Sequence, residues 1–165
     1  MKVFRAHILV CGGTGCRASG SEGVLAEVNK EITKNGLAGE VTVVETGCNG
    51  FCAAGPIMVI YPEGTFYQYV KASDVAEIVS EHIVKGRPVK RLMYREPVTE
   101  KAIPHMQEIP FFGKQMLIAL KNRGLIDAEK IDEYIARDGY LGSAKALTEM
   151  NPDMIIDEMM KSGLR

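Results

Sequence analysis

Two cysteine pairs constrain this chain more than any other feature. Cys11 and Cys16 are separated by four residues, Cys48 and Cys52 by three, and 31 residues lie between the pairs. Each pair directly follows a segment that reads as a strand. His7-Ile8-Leu9-Val10 is a short apolar run that stops at a glycine-rich loop, and Val41-Thr42-Val43-Val44 is β-branched throughout. If these strands are neighbours in one sheet, both loops leave it at the same end, and four thiols meet at one edge of the domain. Met1 to Val10 has too little apolar length for a signal peptide, so the expected compartment is the reducing cytoplasm. There, paired cysteines point to metal or redox chemistry rather than to disulfides. At 165 residues the chain buries a core without such staples.

Three chemistries compete for the pairs. A [2Fe–2S] cluster takes four thiolates, and its rhomb is wider than a single ion, so longer spacers serve it. A structural zinc site with four cysteines accepts spacers of this length as well. A thiol redox centre of the thioredoxin type uses a two-residue spacer, which neither pair has. The surroundings favour the cluster. Gly12, Gly13 and Gly15 crowd the first loop and Gly47, Gly50 and Gly55 the second. Glycine lets backbone N–H groups approach and point at sulfur, and an anionic thiolate-bound cluster needs such donors. Arg17 is the one fixed positive charge in the two loops.

The rest of the chain divides by composition. Ten of the 17 glycines lie between Cys11 and Gly55, and seven of the nine methionines lie beyond Gly86. Up to Gly86 the order reads β-α-β-β-β-α. Leu25, Val28 and Ile32 stripe a helix ended by Asn35-Gly36, and Pro62-Glu63-Gly64-Thr65 marks a hairpin. Ser73 is placed to cap a helix carrying Val75, Ile78, Val79 and Ile83. Residues 87–110 hold Pro88, Pro97, Pro104 and Pro110 without a sustained period, and read as a semi-rigid linker. Residues 111–165 read as short amphipathic helices. Their stripes are Met116/Leu117/Leu120, then Ile131/Tyr134/Ile135 behind an Asp127 cap, then Leu141/Ala144/Leu147, and finally Ile155/Ile156/Met159/Met160 after Asn151-Pro152. Gly113, Gly124, Gly139 and Pro152 separate them. The net charge of −1 excludes the basic footprint of a nucleic-acid binder, and the apolar runs are too short for membrane insertion.

Cys11-x4-Cys16 together with Cys48-Asn49-Gly50-Phe51-Cys52 resembles the thioredoxin-like [2Fe–2S] ferredoxins, a family that also supplies a subunit of NADH dehydrogenase complexes. The tail adds a second resemblance. Ile126-Asp127, Glu133-Tyr134-Ile135-Ala136, Gly139-Tyr140, Lys145-Ala146-Leu147-Thr148 and Lys161-Ser162-Gly163-Leu164-Arg165 are similar to the start of the flavin-binding subunit. That arrangement is the one found in the NADH-oxidising subunit of NAD(P)-linked, including electron-bifurcating, [FeFe] hydrogenases. The resemblance implies an α/β fold: a thioredoxin-like ferredoxin domain over 1–86, a proline-rich linker over 87–110, and a helical segment over 111–165. It implies a [2Fe–2S] cluster on Cys11, Cys16, Cys48 and Cys52, with no catalytic residue. The implied function is one-electron transfer inside an NAD(P)H-linked multisubunit oxidoreductase. Its expected partners are flavin/NADH and iron–sulfur subunits, or a second copy in a homodimer. The sequence ends before the glycine-rich loop that holds FMN in that family, so neither FMN nor NAD(P)H is expected to bind these residues. The competing reading is a structural zinc or assembly module whose helical tail is an interaction surface.

Other chemistry-bearing residues carry little weight. His7 suits a strand and His82 the rim of an amphipathic helix, and with His105 they complete the histidines. Phe51, between two cysteines, either shields the centre, meets a partner, or fills its own loop. The tail's methionines suit adaptable packing. No acid/base pair or nucleophile–base set stands out.

Overall fold

The computed structural model describes residues 4–122, 125–127 and 129–164. The expected separator Gly124 and the final Arg165 lie outside them. The described residues divide into two units, 1–124 and 125–165.

In the first unit, β1 (Ala6–Cys11) and β2 (Val41–Thr46) are parallel neighbours, with Cys11 opposite Thr46. The crossover between them contains α1 (Thr14–Ala18) and α2 (Ser21–Lys34). On the other side of β1 lies β3 (Met58–Tyr61), antiparallel, followed through the expected hairpin by β4 (Thr65–Tyr67). The sheet order is β2-β1-β3-β4. α2 ends at Asn35-Gly36, as its sequence implies, with Gly36 in the left-handed region. After β4 comes a helical run in three pieces: a 3₁₀ turn Ala72–Asp74, one α turn α3 (Val75–Glu77), and a π-helical stretch Ile78–Val84. Asp74, not Ser73, makes the side-chain contact at its start, accepting from the Lys71 N–H at 2.9 Å.

Strand residues alternate between two faces, and both faces are buried. Ala6, Ile8, Val10, Met58, Ile60 and Tyr67 pack under α2 and the helical run. Leu9, Cys11, Ile57, Val59 and Phe66 form a second core with Met106, Ile109 and Phe112. The proline-rich stretch is therefore not a linker, because it covers the second face. Its elements are β5 (Tyr94–Arg95), β6 (Ala102–Ile103) and α4 (Pro110–Gly113). It also lines the outer edge of β4. Gln68 N–H donates to Leu92 O, Phe66 N–H to Pro104 O, and Met106 N–H to Gly64 O, at 2.8–2.9 Å. The open backbone groups of an edge strand are thereby paired.

Three groups bolt the start of this segment down. The Val89 N–H donates to the buried Tyr67 hydroxyl at 2.9 Å, and that hydroxyl lies 2.9 Å from His82 Nδ1. Arg91 bridges Asp74, at 2.8 Å, and Glu77. His82 is thus a buried partner rather than a rim residue. The hydroxyl accepts from Val89 N–H and shares one further hydrogen bond with His82 Nδ1, whose direction follows the imidazole tautomer. Burial holds the His82 pKa below its ordinary value, and the Glu63 carboxylate opposes this only weakly. The unfolded chain then binds more protons than the folded one in the window just below pH 6.5. This contribution to stability is complete above pH 6.5 and is lost as pH falls through the depressed pKa. Melting temperature should drop between pH 7 and pH 5. His82→Gln should flatten that part of the profile, and an unchanged slope would contradict the assignment.

The second unit has α5 (Ile131–Ile135), α6 (Leu141–Glu149) and α7 (Pro152–Ser162). Asn151 caps α7, accepting from Met154 N–H at 3.0 Å, with Pro152 at the first helical position. Lys130 is the residue preceding α5. The expected cap, Asp127, lies a few residues earlier and accepts from the Glu129 N–H at 3.1 Å. Gly139 breaks the pattern because its backbone lies against Tyr134. None of these three helices contains a fully buried residue. The stripe Met116/Leu117/Leu120 forms no helix: Met116 and Leu117 lie in irregular backbone and Leu120 in a turn, all three exposed. α4 stops at Gly113, whose backbone abuts Gln107 O, and one turn is too short to propagate unaided.

Candidate metal centre

Parallel pairing of β1 and β2 delivers both cysteine loops to one end of the sheet. Cys11 is the last residue of β1 and Cys16 sits inside α1, and both are buried. Cys48 follows β2, Cys52 opens a 3₁₀ turn, and both are exposed. The Sγ atoms of Cys48 and Cys52 are 4.0 Å apart. All four thiols are free.

The glycines explain how the loops come so close. A Cβ on Gly13 would stand 3.1 Å from Cys48 Sγ. One on Gly15 would stand 3.1 Å from Cys52 Sγ, and one on Gly55 only 2.8 Å from Cys16 Sγ. Each pair's loop therefore presents bare backbone to a sulfur of the other pair. Gly50 supplies an N–H to Cys48 Sγ at 3.3 Å. A Cβ on Gly47 would meet nothing, so no steric reason places glycine there, although its carbonyl oxygen lies 3.8 Å from Cys11 Sγ.

The thiols are electrically linked. Burial works to raise the Cys11 pKa, but N–H groups of Asn49 and Gly13, then Cys16, overcome it and hold the thiol below its ordinary value. Burial and then the bond to Cys11 push Cys16 up to about 11. Cys52 is raised first by its bond to Cys48. Each thiolate thus discourages the next, as in any crowded like-charge set. A cationic centre removes that conflict, and its binding releases protons. Four free thiols at one end of the sheet, with backbone N–H groups turned toward them, are a donor set that suits an iron–sulfur rhomb.

Arg17 does not aim its charge at the sulfurs. Its guanidinium binds Glu45 at 2.6 Å and reaches Glu22 at 3.5 Å, tying α1 to β2 across the mouth of the site. The other sequence candidate, Phe51, is surrounded by rings. Phe66, Tyr94, Phe111 and Phe112 lie 5.3–6.0 Å from it, centre to centre. Tyr94, in the stretch that reads as linker, and Phe111 and Phe112, at the start of the helical segment, have no functional signal in the sequence beyond being aromatic. His105 bonds the Glu63 carbonyl, 3.1 Å away, and none of the histidines joins the cysteines.

The family model described as thioredoxin-like [2Fe-2S] ferredoxin matches residues 2–82. A protein named "Ferredoxin, 2Fe-2S" from Clostridium pasteurianum is 43% identical over 96 residues, covering 52% of this chain and 92% of that one. The crystal structure of the thioredoxin-like [2Fe-2S] ferredoxin from Aquifex aeolicus superposes with a TM-score of 0.50 at 36% identity, over 55% of this chain and 95% of that one. A "NADP-reducing hydrogenase subunit HndC" from Solidesulfovibrio fructosivorans is 54% identical over 52 residues, which is 32% of this chain and 10% of that protein. The described helices include none long and apolar enough to cross a membrane. Fold, cysteine placement and these likenesses agree: the chain belongs to the thioredoxin-like [2Fe–2S] ferredoxin family, whose cofactor is a [2Fe–2S] cluster.

Proposed function

We propose that Cys11, Cys16, Cys48 and Cys52 hold the cluster and that the chain carries single electrons within an NAD(P)H-linked hydrogenase or dehydrogenase complex. The observation that carries the ligand assignment is the mutual approach of the two loops, with glycine backbone from one against the sulfurs of the other. When bound, the cluster supplies one-electron redox chemistry. The protein's part is to present four thiolates and to direct N–H groups of Gly13, Asn49 and Gly50 toward them. Donors fixed in this way stabilise negative charge on sulfur without rearranging when an electron arrives. The exposed pair, Cys48 and Cys52, marks the side on which donor and acceptor approach.

The second unit supports the multisubunit reading. Its helices display Ile131, Ile135, Leu141, Leu147, Ile156, Met159 and Met160 to solvent, and short helices draw their stability from packing on a larger body. The likeness to a hydrogenase subunit favours a flavin/NADH or iron–sulfur subunit as that body. A reductive titration tests the electron count. One electron per chain should convert the oxidised absorbance to a reduced, paramagnetic form, and uptake of two or none would contradict the reading.

A further inference from the structure

Phe51 lies inside the loop that joins Cys48 to Cys52, and three of the four rings around it come from residues 94–112. Phe111 stacks on it at 5.3 Å and 26°, Tyr94 lies at 5.3 Å, and Phe112 meets it edge-on at 5.4 Å. Phe111 also crosses the loop backbone: a Cβ on Gly50 would stand 3.5 Å from Phe111 Cζ. Phe112 and Ile109 are buried in the second core and fix α4 in place, so Phe111, 45% exposed, is held as the outer wall. The cysteines on this side are the two that solvent reaches. Resting on the ligand assignment above, we propose that residues 94–112 form an aromatic clamp on the loop 48–52. Phe111 and Phe51 are then positioning residues that fix this loop and limit how much of the cluster beneath it water reaches.

The clamp has consequences with a definite sign. Reduction adds negative charge to an already anionic centre, and water stabilises that extra charge. Shielding therefore holds the reduction potential down. It also slows access of chelators to Cys48 and Cys52. Offset-stacked and edge-to-face ring contacts are individually modest, so loss of one should change loop opening roughly two- to tenfold.

The test compares wild type, Phe111→Ala and Phe111→Tyr in the full chain. Because the Phe111 side chain is half exposed, Phe111→Ala should fold, and Phe111→Tyr keeps the ring as a control. Three readouts are taken: reduction potential, rate of iron loss to bathophenanthroline disulfonate, and amide exchange of residues 48–52 in the cluster-free protein. For Phe111→Ala the potential should rise, iron loss should accelerate by the factor above, and exchange at 48–52 should speed up with little change elsewhere. Phe111→Tyr should match wild type in all three. An unchanged potential, or unchanged exchange at 48–52, would overturn the clamp. If the wild type took up no cluster, the ligand assignment would fall, while the exchange measurement would still decide for or against the clamp.

Discussion

A chain cut after Gly86 should lose its cooperative melt and aggregate, whereas one cut after Gly113 should stay monomeric. The cut at 86 removes six buried apolar side chains: Val89, Leu92, Met93, Met106, Ile109 and Phe112. Burying each contributes about 1.5–3 kcal/mol, which together rivals the ~5–15 kcal/mol that holds a typical domain folded. It also uncovers Leu9, Val59 and Phe66 and leaves the edge of β4 unpaired. Size-exclusion chromatography and thermal melts of the two truncations decide the matter. A monomeric 1–86 fragment melting with the 1–113 fragment would contradict it.

Composition divides the chain at Gly86, but the packing continues past it into residues 89–112. Prolines and charges in 87–110 conceal a hydrophobic period, because the segment packs as an extended strap and not as a helix or long strand. Its apolar contacts come singly, at Val89, Leu92, Met106 and Ile109. One clue was present in β1 itself. Ile8 and Val10 point one way, Leu9 and Cys11 the other, and all four are buried. A strand apolar on both faces needs cover on both, and the helices before Gly86 supply it on one face only. For the cysteines, the sequence shows where the two loops lie: both follow strands, and β1 and β2 are parallel neighbours. Strand-then-cysteine recurs twice, and parallel neighbours place such repeats side by side. What spacing alone does not reveal is contact between distant segments. Thus Arg17 turns out to be held by Glu45 and Glu22, and His82 to be held by Tyr67.

The second large effect concerns the sulfurs. Cys16→Ser should abolish stable cluster binding, and Cys11→Ser should do the same. Both side chains are buried, so a serine there leaves a poorly ionised hydroxyl in place of a ligand. Cys48→Ser and Cys52→Ser sit on the open side, where water or a neighbouring group can reach the vacated position. These variants should retain a weakened, fast-decaying cluster. Gly55→Ala tests the same geometry without touching a ligand. Its methyl group would meet Cys16 Sγ, 2.8 Å away, and should weaken cluster retention substantially. Visible absorbance after anaerobic purification and its decay rate in air report all five variants. Equal, normal spectra throughout would remove the ligand assignment.

The central claim is that these four cysteines together hold one binuclear iron–sulfur centre. Anaerobic iron, acid-labile sulfide and zinc analysis of the full chain tests it most directly. The account predicts about two irons and two sulfides per chain, with no stoichiometric zinc. One zinc per chain without labile sulfide would contradict it.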